Sequence, residues 1–306
     1  MNVAAGSPEA AKLRGRWALY LHWVLRIGVV GEFLGHGWVG LHRPAAWLPF
    51  FGVFGLSNAF ASTMMPIVGT WDIVVALIVL VRPGRAVLYW ATFWGVFTAL
   101  LRPLADQGWW EFFERAGNYG VPLAFLVLLV RQARMDPVST LPIDATAGIP
   151  VRWLSWDLRL TVASLMIGHG GIGAFMHRQG WLAYFDRVGV SATVVQDRSL
   201  ISAVGWFEIA LGVAVLGRPS RGLLMFVLSW KVFTEALRPL VGESVGQFVE
   251  RSGSYAAPAA LLLLMLLWQT DVRTRLIQPV DLSPEVRSNA QGLTKRAPEV
   301  MQRPHA

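Results

Sequence analysis

Long apolar stretches alternate with short polar segments along most of the chain. Eight of these stretches approach the length of about 20 residues that is needed to cross the hydrocarbon core of a bilayer. They lie at roughly 22–42, 60–81, 86–104, 118–131, 157–177, 200–217, 222–240 and 255–269. The pattern predicts an all-α, polytopic membrane protein with eight transmembrane helices.

The same pattern occurs twice. Residues 69–130 align without gaps on 205–266, and the aligned segments pair WGVFTALLRPL with WKVFTEALRPL and FFERAGNYGVP with FVERSGSYAAP. Further upstream, each half carries a Gly-His-Gly, around His36 and around His169. Four spans per copy give both copies the same orientation, so we predict two parallel four-helix-bundle repeats.

The predicted organisation has five parts. They are a cytoplasmic N-terminal segment 1–16, a first repeat 17–131, a cytoplasmic linker 132–152, a second repeat 153–272 and a disordered cytoplasmic tail 273–306. The stretches 43–59 and 178–199 share Trp-Leu-x-x-Phe, beginning at Trp47 and Trp181. We expect these two stretches to lie on the outer face as amphipathic caps.

Composition and charge support contact with lipid. Only 15% of the residues are charged, against about 25% in soluble domains. The net charge of +8 could indicate nucleic-acid binding, but Lys and Arg lie mainly at one set of span ends and in the tail. That distribution predicts an inner (plasma) membrane protein with both termini in the cytoplasm and no nucleic-acid partner.

Candidate site residues recur at matched depths in the two halves. Counting about 1.5 Å per residue from the inner ends of the spans defines two levels. Near the middle lie His36, Asp72, Trp94, Thr98 and Tyr119 in the first half, and His169, Glu208, Trp230, Thr234 and Tyr255 in the second. Near the outer boundary lie Arg102 and Glu114, and Arg238 and Glu250.

Several of these residues have a structural interpretation as well as a functional one. We expect Arg102 to pair with Glu114, and Arg238 with Glu250, as salt bridges between helices. His36, between two glycines, fits a hydrogen bond across a tight helix interface as well as it fits a functional site.

The acids are harder to explain structurally. Asp72 and Glu208 keep a carboxylate although the residue type differs, which favours a functional proton acceptor. Glu32 lies one helical turn before His36 and could orient the imidazole, whereas the second copy has Leu165 in its place.

Two further charged residues distinguish the copies. Lys231 and Glu235 stand where the first copy has Gly95 and Ala99, and they are four apart on one predicted helix. They could pair with each other and make the two pockets differ.

These motifs resemble the DoxX-like family of four-span membrane proteins, here as a tandem duplication covering about 23–131 and 156–269. The resemblance rests on the Gly-His-Gly, the acid of the second span, and the LRPL that leads to ERAGNYGVP or ERSGSYAAP. It implies membrane redox work, because some members are similar to the membrane subunit of thiosulfate:quinone oxidoreductase and others belong with methylamine-utilisation and thiol-oxidation systems. Relatives also include a cargo receptor, so the fold does not fix the activity.

The chain departs from the cysteine-using members of that family, because it contains no Cys. Disulfides, thiolate metal sites and Cys-x-x-Cys chemistry are excluded, and no metal site is expected. Any thiol role would belong to a partner or a substrate.

The first functional hypothesis is a quinone-linked oxidoreductase, or its membrane subunit with a redox partner subunit. His36 and Asp72, with His169 and Glu208, would exchange protons with the ligand, while Trp94 stacks on a ring and Arg102 attracts an anion. A haem b between the two histidines, with Arg102 and Arg238 on its propionates, is a less favoured variant.

Two other classes stay open. A small-solute carrier would show discontinuous helices at equivalent places in the two halves. A non-enzymatic assembly or cargo-binding protein would use the polar groups only as contacts between helices.

Overall fold

The computed structural model describes residues 8–132, 149–178, 180–190 and 198–277. Over these residues every regular element is helical and no strand occurs, as predicted. The N-terminal half contains α1 (Pro8–Leu41), α2 (Leu48–Gly52), α3 (Asn58–Val81), α4 (Arg85–Leu104), α5 (Trp109–Glu114) and α6 (Ala116–Gln132). The C-terminal half contains α7 (Val151–Gly171), α8 (Trp181–Arg187), α9 (Arg198–Gly217), α10 (Arg221–Leu240), α11 (Val245–Glu250) and α12 (Ser252–Ile277).

Seven helical segments in the described part of the chain are long and apolar enough to cross a membrane. They are Gly15–Leu41, Asn58–Val81, Arg85–Leu104, Trp109–Val130, Val151–Met176, Ser199–Gly217 and Val245–Trp268. Their outward surfaces expose large apolar side chains such as Trp71, Phe93 and Val213. These features are consistent with a multi-pass integral membrane protein in a lipid bilayer.

Helix α10 corresponds to the predicted span 222–240, the seventh along the chain, and is not among these seven segments. It has 20 residues, but Lys231, Glu235 and Arg238 crowd its second half. Lys231 and Glu235 are buried and paired with each other, so their charges face protein. The predicted count of eight spans is therefore not confirmed.

The fourth and eighth predicted spans, 118–131 and 255–269, begin later than the helices do. In each half a short helix comes first, α5 or α11. The helix is interrupted for one residue, Arg115 or Arg251, before the longer helix α6 or α12 begins. Discontinuous helices therefore occur at aligned positions of the two halves.

Packing interleaves the two halves. Within each half the first helix packs on the next long one, α1 on α3 and α7 on α9. Across the halves, α1 packs on α11 and α12, while α7 packs on α5 and α6. The main core runs through all of these contacts and includes Leu25, Phe125, Leu158 and Leu261. Each half therefore supplies part of the other half's surroundings.

The polar connections are described in part. Helix α1 already begins within the predicted segment 1–16, and α12 continues to Ile277 within the predicted tail 273–306. Residues 133–148 of the predicted linker and 278–306 of the tail lie outside the described residues. The two predicted caps contain α2 and α8, each beginning at or beside the shared tryptophan.

Candidate functional site

A histidine–carboxylate pair lies inside the N-terminal half. His36 Nδ1 lies 2.7 Å from Asp72 Oδ2, and the Asp72 side chain is fully buried. With Asp72 ionised, the carboxylate can only accept, in which case Nδ1–H of a neutral His36 donates and Nε2 is the nitrogen that can take a proton. Trp47 stacks on the imidazole, with ring centroids 4.5 Å apart. The pair can therefore hold a proton at a defined atom.

The C-terminal half contains the corresponding pair. His169 Nδ1 lies 2.6 Å from Glu208 Oε2, and Trp181 stacks on the ring at 4.7 Å. In both halves the stacked tryptophan comes from the predicted cap. The caps therefore cover the histidines instead of only lying on an interface.

The glycine before each histidine lets a helix from the other half approach closely. A Cβ on Gly35 would overlap the backbone of Glu250, and a Cβ on Gly168 would overlap the backbone of Glu114. This contact brings Glu250 beside the first histidine and Glu114 beside the second. The Gly-His-Gly motif thus allows the exchange of elements between halves.

Reciprocal ion pairs join the halves at this crossing. Arg115 Nη1 donates to Glu250 Oε1 at 3.1 Å, and Arg251 donates to Glu114. All four side chains are buried. The predicted pairs Arg102–Glu114 and Arg238–Glu250 are therefore wrong, because each acid is taken by the arginine that follows the other acid along the chain.

An aromatic cavity of about 230 Å³ opens beside His36. A cavity of about 150 Å³ is enough for a benzene ring. Of the predicted site residues it is lined by His36, Trp94, Thr98, Arg102 and Glu250. Among the residues that the sequence reasoning had not selected, it is lined by Trp47, Phe50, Phe97, Arg115 and Asn118.

Trp94 Nε1 and Asp72 Oδ1 are among the buried polar atoms beside this cavity that have no hydrogen-bond partner in the described residues. In the C-terminal half the matching atoms meet, since Trp230 Nε1 donates to Glu208 Oε1 at 2.7 Å. Glutamate is one methylene longer than aspartate, which accounts for the reach. Unpaired buried polar atoms are costly, and they point to a functional role in the first cavity.

The arginine at the outer end of each cavity has different partners. Arg102 lies over the Phe50 ring at 4.5 Å and donates to the Gln107 amide oxygen at 3.1 Å. Within the described part of the chain it has no carboxylate partner. Arg238 donates to Glu235 at 2.6 Å and to Glu243 at 3.1 Å. Of these two arginines, Arg238 is bonded to two carboxylates and Arg102 is bonded to a neutral amide.

The second cavity is smaller, about 90 Å³. It is lined by the predicted residues His169, Glu208, Trp230, Thr234 and Arg238. Glu235 also lines it and bonds to Lys231 Nζ at 2.7 Å. Tyr184, at the position of Phe50, donates to Glu243, and burial raises the pKa of Tyr184 to about 12.

The remaining predicted residues face other groups. The Thr98 and Thr234 hydroxyls donate to carbonyls of their own helices, at 2.9 Å and 3.0 Å. Tyr119 and Tyr255 donate to the carbonyls of Phe112 and Phe248, and neither tyrosine lines these cavities.

Glu32 is buried, and its Oε2 has no partner among the described residues. Asp72, and not Glu32, holds the His36 imidazole.

One group of three residues has the geometry for a metal ion. Ligand atoms of Glu114, His169 and Glu235 lie within 4.8 Å of one another. Both carboxylates are already paired with cations, Arg251 for Glu114 and Lys231 with Arg238 for Glu235. A bound cation would face three positive side chains. The haem variant would need both histidines in one cavity, and they line separate cavities.

Sequence reasoning missed the arginines of the ion pairs and the role of the capping tryptophans. The signal for the first was present, because ERAG and ERSG keep the arginine as well as the acid. The signal for the second was the shared Trp-Leu-x-x-Phe, which does not by itself indicate contact with a histidine.

Comparison with known proteins adds no relative. Neither the protein-family models, nor the curated proteins, nor the solved structures contain a match to this chain. The resemblance to the DoxX-like family stays a prediction from its motifs.

Proposed function

We propose that this is an integral membrane protein whose N-terminal half binds a small ring compound and exchanges protons with it, as a quinone-linked oxidoreductase or its membrane subunit does. The observation that carries the proposal is the aromatic cavity beside the His36–Asp72 pair, in which the carboxylate is buried and one of its oxygens, like Trp94 Nε1, has no partner among the described residues. An intramembrane ionisable pair next to a ring-sized cavity favours a site over a structural contact.

The residues present fit a ring of the quinone class. Trp94 and Phe97 contribute aromatic surface to the cavity, and His36 Nε2 can give or take a proton while Asp72 stabilises the imidazolium. Such a ring would supply two-electron chemistry, with the electrons exchanged through a redox partner subunit. The chain's own part is to hold the ring, exclude water and move a proton at His36.

The proposal includes the architecture suggested by the sequence repeat. We propose eight spans in two parallel DoxX-like repeats, with α10 as the additional span, because its buried charges are paired within the protein. The Lys and Arg distribution supports an inner (plasma) membrane location with both termini cytoplasmic.

The test compares two matched tryptophans. Trp94→Leu should abolish binding of a short-chain quinone to the purified protein, measured by tryptophan-fluorescence quenching, whereas Trp230→Leu should keep it. Mass spectrometry of small molecules that co-purify in mild detergent should find a ring compound with the unmodified protein and not with Trp94→Leu. Equal binding by both variants, or none by the unmodified protein, would contradict the proposal.

One observation favours a second function, transport of a small solute. The breaks at Arg115 and Arg251 are discontinuous helices at aligned positions, the feature expected of a carrier. Arg115 lines the first cavity, at the N-terminal end of α6. Uptake of a ring compound into proteoliposomes, without any change in its redox state, would support this alternative.

A further inference from the structure

We propose that the ligand of the first cavity is a ring that carries a carboxylate, and that this carboxylate binds the Arg102 guanidinium. The inference rests on the proposed function, and it favours an anionic ring over a neutral one. It comes from the difference between two arginines at aligned positions of the chain.

In the C-terminal half, protein carboxylates neutralise the arginine. Arg238 donates to Glu235 and Glu243, which are three residues before it and five residues after it. At the aligned positions the first half has Ala99 and Gln107. Both acids have thus been replaced by neutral residues, while the arginine is kept.

The remaining charges around the first cavity are already paired. Glu250 is bonded to Arg115 at 3.1 Å, and Asp72 is bonded to His36 at 2.7 Å. The carboxylate of Glu250 is therefore held by Arg115 and makes no ion pair with Arg102. Arg102 keeps one neutral acceptor, Gln107, and an aromatic face, Phe50. A guanidinium in an apolar site favours a bidentate carboxylate, because a charged hydrogen bond is about twice as strong as a neutral one.

The geometry of α4 sets the length of the ligand. Trp94 and Arg102 are eight residues apart on this helix, which is about 12 Å along its axis. Both side chains line the cavity, together with the aromatic residues between them. One planar ring can thus lie against Trp94 and Phe97 while an acid group on it reaches the guanidinium. In the C-terminal half, the carboxylates of Glu235 and Glu243 then take the place on Arg238 that a ligand carboxylate would take on Arg102.

The test compares the binding of para-hydroxybenzoate with that of its neutral isostere, para-hydroxybenzamide. The affinity of each probe for the full chain in detergent micelles is measured by titration calorimetry. The unmodified protein should bind the acid at least about tenfold more tightly than the amide. Gln107→Glu is isosteric and gives Arg102 a protein carboxylate. It should remove that preference while leaving amide binding unchanged, which also shows that the variant is folded.

Glu243→Gln is the matched control, since it makes the same exchange in reverse on the other arginine. It should leave the preference for the acid in the first cavity as it is. Arg102→Gln should abolish the preference. Equal binding of acid and amide by the unmodified protein, or an unchanged preference in Gln107→Glu, would overturn the inference and leave the ring site standing. Binding of neither probe, combined with no binding of the short-chain quinone, would overturn the proposed function itself.

Discussion

The two cavities are lined by corresponding helices in the same order, yet more of the polar side chains around the second cavity are bonded to one another than around the first. In the C-terminal half Glu208 reaches Trp230, Glu235 reaches Lys231 and Arg238, and Tyr184 reaches Glu243. In the N-terminal half Trp94 Nε1 and the second oxygen of Asp72, Oδ1, have no partner among the described residues, and Arg102 has a neutral partner. The cavity volumes follow, about 90 Å³ against about 230 Å³.

This difference between the halves helps to separate residues with a functional role from residues that serve only the fold. Features that both halves share, such as the histidine–carboxylate pair and the stacked tryptophan, are explained equally well by folding and by chemistry. Features that only the first half leaves unsatisfied lower its stability, so a protein selected for stability alone would be expected to lose them. The first cavity, beside His36, is therefore the better candidate site, and the second cavity, beside His169, is its internal control.

The largest expected effect tests what the halves share. Glu114→Ala and Glu250→Ala each leave a buried arginine without its partner, and each should lower the free energy of unfolding by about 3–5 kcal/mol. The two losses should be alike, because the ion pairs are reciprocal across the halves. Denaturant titration in detergent, followed by tryptophan fluorescence, measures both.

Removal of both partners is the control for that prediction. Glu114→Met with Arg251→Met should cost far less than either single change, because no buried charge is left unpaired. A loss that was large in one half and negligible in the other would show that the crossing of the halves is not symmetrical in energy.

Exchanging the acid type in each half should change the free energy of unfolding by an intermediate amount, with opposite signs in the two halves. Glu208→Asp withdraws the acceptor from Trp230 Nε1 and should cost about 1–3 kcal/mol. Asp72→Glu should let the acid reach Trp94 Nε1, stabilise the protein by up to about 1 kcal/mol and weaken ligand binding in the first cavity. Thermal unfolding and the quinone-quenching measurement together decide between these outcomes. Destabilisation by both substitutions would mean that side-chain length is not what separates the two halves.

Much of the fold could be predicted because it depends on local pattern. Apolar stretches and their polar boundaries mark the helices, and all eight predicted spans coincide with helices of the structure. Seven of the matching segments are also apolar enough to cross a membrane. Helix α10 is not among them because it contains charged residues, and apolar content alone does not show that Lys231 and Glu235 face each other inside the protein. The short helices α5 and α11 were missed because their charged residues, Glu111 and Glu114 among them, are buried and paired with arginines of the other half.

The sequence allowed most residues of the candidate site to be predicted, but not which of them are bonded to each other. Depth along each helix places His36 level with Asp72, and the two are bonded. The same arithmetic placed Arg102 level with Glu114, and these two are not bonded, since depth carries no information on which neighbouring helix is in contact. The crossing of the halves depends on close packing at Gly35 and Gly168. The Gly-His-Gly motif predicts a tight helix interface but does not show which helix forms it.

The smallest expected effect concerns the hydroxyl that the second half adds to the cap. Tyr184→Phe removes the hydrogen bond to Glu243 and should lower the free energy of unfolding by about 1 kcal/mol. Because burial raises the pKa of Tyr184 to about 12, the folded state favours the neutral phenol.

The contribution of the neutral Tyr184 phenol to the free energy of unfolding is fully present below the pKa of an unfolded tyrosine, about 10. It is lost as the pH rises through the pKa of Tyr184 in the folded protein. The cost of Tyr184→Phe should therefore be the same at about pH 6 and about pH 9 when measured by thermal unfolding. Phe50→Tyr is the matched change in the first half, where Gln107 replaces the carboxylate, and its effect should be smaller than that of Tyr184→Phe. An equal effect in the two halves would mean that the carboxylate of Glu243 contributes nothing to closing the second cavity.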